Sequence, residues 1–198
     1  MAWTATARYD VGVAPGSFAL VQDLLNTLSA GKPRKDDLLA ELDSARSWLD
    51  LALAEWSQAV DRDAPEIDLD EPGREQLLAV RDQLHVLIGG AQPTAELDGS
   101  VPVFDSADAR LFVDADGLVR VEPSGTGWQR LVSLILIETL DAQRANQWRR
   151  LKACRNSRCG VTFFDRSKNN SGAWHDVRVC GNVANVRAHR ARVRAEAP

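Results

Sequence analysis

The sequence predicts an α+β protein in which a mainly helical N-terminal domain with a small antiparallel β-sheet precedes a small C-terminal module. In the first half of the chain, apolar residues recur at three- and four-residue spacing, as in amphipathic helices. A β-rich stretch then follows, and all three cysteines of the 198 residues lie between positions 154 and 180. We therefore predict two domains, residues 1–148 and residues 149–198.

Amphipathic helices account for most of the first domain. Their predicted bounds are residues 16–29, residues 36–56 with Asp36 as the N-cap, and residues 74–88. Glycine or proline follows the first and the third helix and stops each of them. Residues 61–71 between the second and third helices are acidic and include proline, which predicts a solvated connection.

Short β-rich runs and a further helix complete the first domain. The predicted strands cover residues 101–104, 110–113 and 118–121. Asp116 and Gly117 lie between the last two runs and form a strong hairpin signal, so a small antiparallel sheet is expected. The next helix, residues 127–147, is apolar almost all round, which predicts a central buried helix.

The two predicted domains carry opposite net charge. Residues 149–198 contain 12 Lys and Arg against three acidic residues, a net charge of +9, whereas residues 1–148 have a net charge of −13. Such asymmetry indicates an anion-binding tail on an acidic body. The chain has no apolar run near the roughly 18 residues of a membrane span, and its first residues lack a secretion signal. A cytoplasmic protein without a membrane partner is expected.

The cysteines of the tail have the spacing of a zinc site. Four residues separate Cys154 from Cys159 and His175 from Cys180, and fifteen residues separate the two pairs. Three thiolates and one imidazole suit tetrahedral Zn²⁺, and four protein ligands leave no position for an activated water, so a structural metal is expected. The alternatives are cysteines buried without a metal, and His189 in place of His175 as the fourth ligand.

The residues around these ligands resemble the CGNR zinc finger. The resemblance is carried by Leu151-Lys152-Ala153-Cys154 through Cys159, by Phe163-Phe164-Asp165-Arg166-Ser167, and by Trp174 followed by Cys180-Gly181-Asn182. In that family the finger follows an N-terminal ABATE domain in bacterial proteins regarded as stress-induced transcription regulators. The segment Leu25-Asn26-Thr27-Leu28 is similar to an Asn-Thr motif of that domain. The resemblance implies a zinc-dependent, DNA-binding transcription regulator of the stress response.

The tail departs from the pattern of that family at a few positions. His175 stands where the family usually has Cys, which preserves tetrahedral zinc binding and changes the ligand charge by one unit. Val183 replaces the arginine of the motif, and Asn185 stands where a basic residue is expected. These last two differences remove positive charge from the segment that is expected to contact DNA.

Arginines of the last residues are the predicted DNA contacts. They are Arg187, Arg190, Arg192 and Arg194. If residues 180–194 form a helix, three of these arginines share one face and Arg192 lies close to it, where they can meet phosphates. A solvated basic tail without a partner is the alternative.

Two classes of function are compatible with these features. The first is a DNA-binding regulator whose N-terminal domain receives a small-molecule or protein signal. Asn26 and Thr27 are its candidate ligand-binding residues, although helix capping or core hydrogen bonds explain both equally well. The second is a zinc-stabilised protein-interaction module without DNA binding, in which opposite charges pair within one chain or in a homodimer. No catalytic residue is predicted, because the sequence has no phosphate loop or nucleophile motif.

Overall fold

A computed structural model of the protein describes residues 3–89 and 106–182. The helices in these residues are α1 (Thr4–Ala7), α2 (Ala19–Leu25), α3 (Leu42–Val60), α4 (Glu71–Leu87) and α5 (Trp128–Arg144). The strands are β1 (Ala109–Val113), β2 (Val119–Pro123), β3 (Leu151–Ala153) and β4 (Thr162–Phe164). The predicted α+β class is confirmed. None of the helices in the described ranges is both long and apolar enough to span a bilayer.

The first predicted helix is present but is shorter than expected. A 3₁₀ turn over Gly16–Phe18 leads into α2, which ends at Leu25. Every residue of α2 is buried, because α1, α3, α4 and α5 all pack against it. The chain then leaves the helix in a turn that includes Asn26 and Thr27, so these two residues follow α2 instead of lying in it.

Helix α3 begins later than predicted. Its first residue is Leu42 and Glu41 occupies the N-cap position, so the prediction of Asp36 as the N-cap is wrong. The physical reason lies in the preceding turn, where the Asp37 carboxylate accepts a hydrogen bond from the backbone N–H of Leu39 at 2.8 Å. This local bond satisfies the backbone in a non-helical conformation.

Helix α4 begins at Glu71, three residues before its predicted start. Pro72 lies in the first turn, where the helix needs no N–H donor from that residue. Asp70 is the N-cap, and its carboxylate accepts a hydrogen bond from the backbone N–H of Gly73 at 2.8 Å. The connection before α4 is only partly solvated, because Leu69 is buried in the core.

The predicted hairpin forms a two-stranded antiparallel sheet. Strands β1 and β2 pair in a register that places Leu111 opposite Val121. Gly117 in the connecting turn has a φ of 80°, a conformation that glycine adopts without steric cost. The predicted strand at residues 101–104 lies outside the described residues.

Helix α5 packs against α2 and α4, but the prediction that it is buried almost all round is wrong, because only one face of it is buried. Its inner face contributes Leu131, Leu134 and Ile135 to the core. Leu140 is 44% exposed on the other side. The long apolar run of this helix therefore exceeds what the core covers.

The main hydrophobic core includes side chains from both sides of the predicted domain boundary. Most of its residues belong to α2 to α5, but Leu151 of β3 is part of it and Phe164 of β4 packs against it. The rings of Phe18 and Phe164 meet edge to face, with centroids 6.4 Å apart. The division into residues 1–148 and 149–198 stays a prediction, and apolar contacts cross it.

Candidate metal centre

A short hairpin carries the first pair of candidate ligands. Strands β3 and β4 pair antiparallel, with Ala153 opposite Thr162, and Cys154 and Cys159 lie in the loop between them. The backbone N–H of Cys154 donates to the carbonyl of Val161 at 2.9 Å and extends the pairing by one step. The sequence did not predict these strands, because three residues are too few to show an alternating pattern.

A tight turn brings the two cysteines of this loop together. The backbone N–H of Cys159 donates to the carbonyl of Asn156 at 2.7 Å. Gly160 follows with a φ of 81°, in the left-handed region that residues with a Cβ rarely adopt. The hairpin therefore needs glycine directly after its second ligand.

A capped turn carries the second pair of ligands. Residues Val177–Gly181 form one π-helical turn, and Asp176 is its N-cap. The Asp176 carboxylate accepts hydrogen bonds from two backbone N–H groups of this turn, at 2.6 and 3.0 Å. The backbone N–H of Cys180 donates to the Asp176 carbonyl at 2.9 Å. These bonds hold Cys180 at a defined place relative to His175, one residue before the cap.

The four predicted ligands converge on one point. The ligand atoms of Cys154, Cys159, His175 and Cys180 all lie within 4.8 Å of one another, and Cys159 Sγ lies 3.4 Å from His175 Nδ1. Tetrahedral zinc with bonds of about 2.3 Å to sulfur and about 2.0 Å to nitrogen requires ligand separations of roughly 3.6–3.8 Å. The cluster is compact enough for a metal ion to draw its four ligand atoms into this geometry, which favours metal binding over three unrelated buried thiols. His189, the alternative ligand, lies outside the described residues.

The crowded thiols have strongly shifted pKa values. A hydrogen bond from the Cys159 thiol, supported by one from His175, lowers the pKa of Cys154 to about 4 despite burial. The same Cys154–Cys159 hydrogen bond, together with burial, raises the pKa of Cys159, and burial raises the pKa of Cys180. One thiolate is thus favoured at the expense of its neighbours. A divalent cation supplies the charge that allows all three to ionise.

Asn156 is a buried neighbour of the cluster that sequence reasoning missed. Its side-chain Nδ2 donates to Cys180 Sγ at 3.3 Å, across the cluster from its own loop. Hydrogen bonds of this kind stabilise a thiolate ligand and fix its orientation. The sequence indicated an exposed residue instead, because Asn156 stands among the charged and polar residues of an apparent turn.

A buried ion pair links the hairpin to the loop that leads to His175. Lys152 Nζ lies 2.7 Å from Asp165 Oδ2, and the same carboxylate accepts hydrogen bonds from the backbone N–H groups of Ser167 and Gly172, at 2.8 and 2.6 Å. Burial alone would raise the pKa of Asp165, but these hydrogen bonds outweigh it and hold the pKa well below its usual range. A Cβ on Gly172 would lie only 2.8 Å from the carboxylate carbon, so the pair requires glycine there.

The cysteine loop also contacts the N-terminal region. The backbone N–H of Gly31 donates to the carbonyl of Cys159 at 2.9 Å. Nε2 of the buried His85 lies at hydrogen-bond distance, 3.0 Å, from the carbonyl of Gly160. The candidate metal loop is therefore bound to the turn after α2 and to α4.

Asn26 and Thr27, the predicted ligand-binding residues, are fully buried and have hydrogen-bond partners inside the protein. The Asn26 amide accepts from the backbone N–H of Thr162 in β4 and donates to the carbonyl of the same residue, both at 2.9 Å. The Thr27 hydroxyl donates to the carbonyl of Leu24 at 2.6 Å and lies 3.3 Å from an Arg81 nitrogen. These bonds match the alternative of core hydrogen bonding, and a ligand role for the two residues stays a prediction.

The predicted DNA contacts are not part of the described residues. This holds for Arg187, Arg190, Arg192 and Arg194, and for Val183 and Asn185. Residues 149–182 nevertheless present exposed cations that form no ion pair with another described residue. These cations are Arg149, Arg155, Arg158, Arg166, Lys168 and Arg178.

Comparison with known families agrees with this geometry. Residues 150–193 match the family model of the CGNR zinc finger, and the match includes all four candidate ligands and both strands of the hairpin. A search of curated proteins found no match. Residues 150–193 are thus a CGNR zinc-finger region whose Cys154, Cys159, His175 and Cys180 form a cluster that can hold a metal ion.

Proposed function

We propose that the cluster binds zinc as a structural metal, and that the finger binds DNA in a transcription regulator of the stress-response type. The observation that carries this proposal is the convergence of three cysteines and one histidine within a region that matches the CGNR zinc finger. The role in transcription and stress rests on the family resemblance of the sequence.

Zinc is the metal that suits this donor set best. Thiolate ligands favour zinc over hard cations such as Mg²⁺ and Ca²⁺, which prefer oxygen. Four protein ligands complete a tetrahedral shell and leave no open position for chemistry, so the metal has a structural role. With three thiolates and a neutral imidazole the site has a net charge of −1, and the Asn156 amide is placed to stabilise that charge at Cys180.

The position of Cys180 connects the metal with the proposed DNA contacts. Cys180 is the last of the four candidate ligands along the chain and lies three residues before Val183. A metal ion at the cluster would therefore fix the start of the segment that contains the arginines at positions 187–194. The exposed cations at Arg155, Arg158 and Arg178 would add positive charge beside it.

A salt-dependent DNA titration tests this proposal. Each phosphate that a cation neutralises contributes about −0.9 to the slope of log K against log salt, so three or four arginines give a slope of roughly −3 to −4. The zinc-loaded full chain should bind a labelled duplex with that slope between 50 and 200 mM salt. Replacing all four predicted arginines with glutamine should remove this part of the slope and leave only the contribution of the exposed cations beside the cluster. Absence of DNA binding by the zinc-loaded protein at low salt would contradict the proposal.

A protein-interaction module without DNA binding is the second candidate. The observation that favours it is the set of hydrogen bonds that already join the finger to the N-terminal region through Gly31, His85 and Asn26. In this case the basic finger pairs with an acidic partner or with a second copy of the chain. Salt-sensitive dimerisation in sedimentation experiments, without DNA binding, would support this candidate.

The N-terminal region completes the proposal. By resemblance, residues 1–148 form an ABATE-type domain that receives a small-molecule or protein signal and passes it to the finger. Neither part is assigned a catalytic role. A DNA-binding regulator of this type acts in the cytoplasm.

A further inference from the structure

A cavity of about 340 Å³ lies between the end of α4 and the zinc-finger region. Its walls come from residues 87–89, from the segment between Trp148 and Arg155, and from Gly172 and Ala173 in the loop before His175. This volume is at the lower end of the range of small-molecule sites, about 300–1,000 Å³. None of the walls includes Asn26 or Thr27, so the cavity is separate from the ligand site predicted from the sequence.

The charged residues that line the cavity are all cations. They are Arg149, Lys152 and Arg155. Lys152 is neutralised by Asp165, and its ammonium group also donates to the carbonyl of Asn170 at 2.7 Å. Arg149 and Arg155 are exposed and form no ion pair with another described residue. The cavity therefore presents two arginines that are available to an anion.

Apolar side chains also line the cavity, among backbone polar groups. Leu87 is 68% exposed although it is a large aliphatic residue, and Ile88, Trp148 and Ala173 lie around the same cavity. A single exposed leucine is common on protein surfaces. Here, however, it adjoins a tryptophan and two arginines that form no ion pair with another described residue, so one concave site offers both apolar contact and positive charge to an organic molecule.

We propose that this cavity binds a small organic anion, whose carboxylate or phosphate pairs with Arg149 and Arg155 and whose apolar body contacts Leu87 and Trp148. Arginine suits carboxylates and phosphates because its planar group forms two parallel hydrogen bonds with them. Contacts with the DNA backbone require cations alone, so the exposed Leu87 and the Trp148 ring beside the arginines favour an organic ligand over a duplex phosphate. The binding itself is independent of the proposed DNA-binding function.

Such a ligand would contact the finger on both sides of the metal cluster. Arg155 directly follows Cys154, and Ala173 lies two residues before His175. Residues 87–89 belong to the N-terminal region, so a bound anion would join that region to both ligand-bearing loops. We therefore expect the ligand to slow the release of zinc to a chelator by at least about threefold. This second expectation rests on the proposed zinc site, whereas ligand binding does not.

Calorimetry on the full, metal-loaded chain tests the proposal. The probes are 2-naphthoate and AMP, which carry the two anionic groups on aromatic bodies, together with neutral 2-naphthalenemethanol and inorganic phosphate. At least one organic anion should bind with a Kd below 1 mM, and at least tenfold more tightly than the neutral compound and inorganic phosphate. Binding of naphthoate alone would assign a carboxylate ligand, and binding of AMP alone a phosphate ligand.

Matched variants locate the binding site. The double variant R149Q/R155Q should weaken binding of the organic anion at least about tenfold, because it removes both charge-assisted partners. The control R158Q/R178Q removes two exposed finger arginines that do not line the cavity, and it should leave the affinity unchanged. The exposed position of Leu87 makes L87A a conservative test of the apolar contact, with a several-fold loss expected.

Three results would overturn the proposal. In the first, neither organic anion binds below 1 mM. In the second, inorganic phosphate or the neutral compound binds as tightly as the organic anions. In the third, both arginine pairs weaken binding equally, which would indicate general attraction to a basic surface. Each result would leave the DNA titration of the proposed function unaffected.

Discussion

The two small antiparallel hairpins in the described residues differ in the contacts that stabilise them. Strands β1 and β2 have five residues each, yet Leu111, Val113 and Val119 are exposed. Strands β3 and β4 have only three residues each, but most of their side chains are buried. A two-stranded hairpin is marginal by itself in water. The shorter hairpin is the better anchored one, because the candidate metal cluster, Asn26 and the core all hold it.

The comparison predicts that loss of the metal has the largest effect on local stability. This effect should be confined to the shorter hairpin. Structural zinc contributes on the order of 10 kcal/mol of apparent folding free energy in small zinc domains. The Cys159→Ser variant should therefore retain little zinc and should lose amide protection in β3 and β4, while β1 and β2 keep theirs. Metal analysis and hydrogen exchange measure the two effects.

A pair of histidine variants identifies the fourth ligand. His175→Ala should lower the zinc content or the zinc affinity strongly, because it removes a ligand atom 3.4 Å from Cys159 Sγ. His189→Ala is the matched control and should retain zinc like the unaltered chain. Full zinc retention in His175→Ala would refute the assignment of His175, and loss in His189→Ala would favour the alternative ligand.

Breaking the Lys152–Asp165 ion pair should give the next largest loss of stability. At neutral pH, Asp165→Asn should lower the free energy of unfolding by about 3 kcal/mol, because it breaks a largely buried ion pair. The pKa of Asp165 is lowered in the folded protein from its ordinary value of 3.8. Its stabilising contribution is therefore present above about pH 4 and is lost as the pH falls through the folded pKa.

Urea unfolding from pH 3 to pH 7 checks this prediction. The difference in stability between the unaltered chain and Asp165→Asn should be largest above pH 5 and should shrink below pH 4. Both proteins contain the same metal ligands, so loss of zinc in acid largely cancels in the difference. Asp114→Asn near the longer hairpin is the control, and it should have a much smaller effect because the Asp114 side chain is 41% exposed and its ion pair with Arg120 is solvated. A pH-independent difference for Asp165→Asn would contradict the prediction.

Replacing one leucine in each hairpin by alanine should give the smallest losses of stability and the most direct contrast between the hairpins. Leu151 in β3 is 2% exposed, and its replacement by alanine should cost at least about 2 kcal/mol. Leu111 in β1 is 70% exposed, and the same replacement should change stability by less than about 0.5 kcal/mol. Chemical denaturation of both variants measures the contrast. Equal losses would show that the longer hairpin is anchored as firmly as the shorter one.

The sequence predicted those elements whose pattern is long enough to repeat. Helices α2 to α5 and the β1–β2 hairpin followed from periodicity and from the turn at Gly117. The helix start at Leu42 depended on the preceding turn at Asp37, and the start at Glu71 on the cap at Asp70. The four candidate ligands followed from their spacing. The three-residue strands around them were too short to recognise.

The missed contributors to the site depend on contacts between distant residues. Asn156 is buried and donates to Cys180, 24 residues later, whereas composition suggested an exposed turn. Asp165 was noted only as part of a family motif, since its pairing with Lys152 and Gly172 requires the hairpin and the following loop to fold together. Single-sequence patterns contain no signal for such pairings.

The bonds between Asn26 and Thr162 have a consequence for synthesis of the protein. The two residues are 136 positions apart in the chain. At roughly 5–20 residues per second, the ribosome delivers Thr162 about 7–27 s after Asn26. During that interval the Asn26 amide lacks both bonds to Thr162 and keeps only the Thr6 hydroxyl, 3.3 Å away in the folded protein, and water as partners. The N-terminal region therefore reaches its final hydrogen bonding only when the finger emerges.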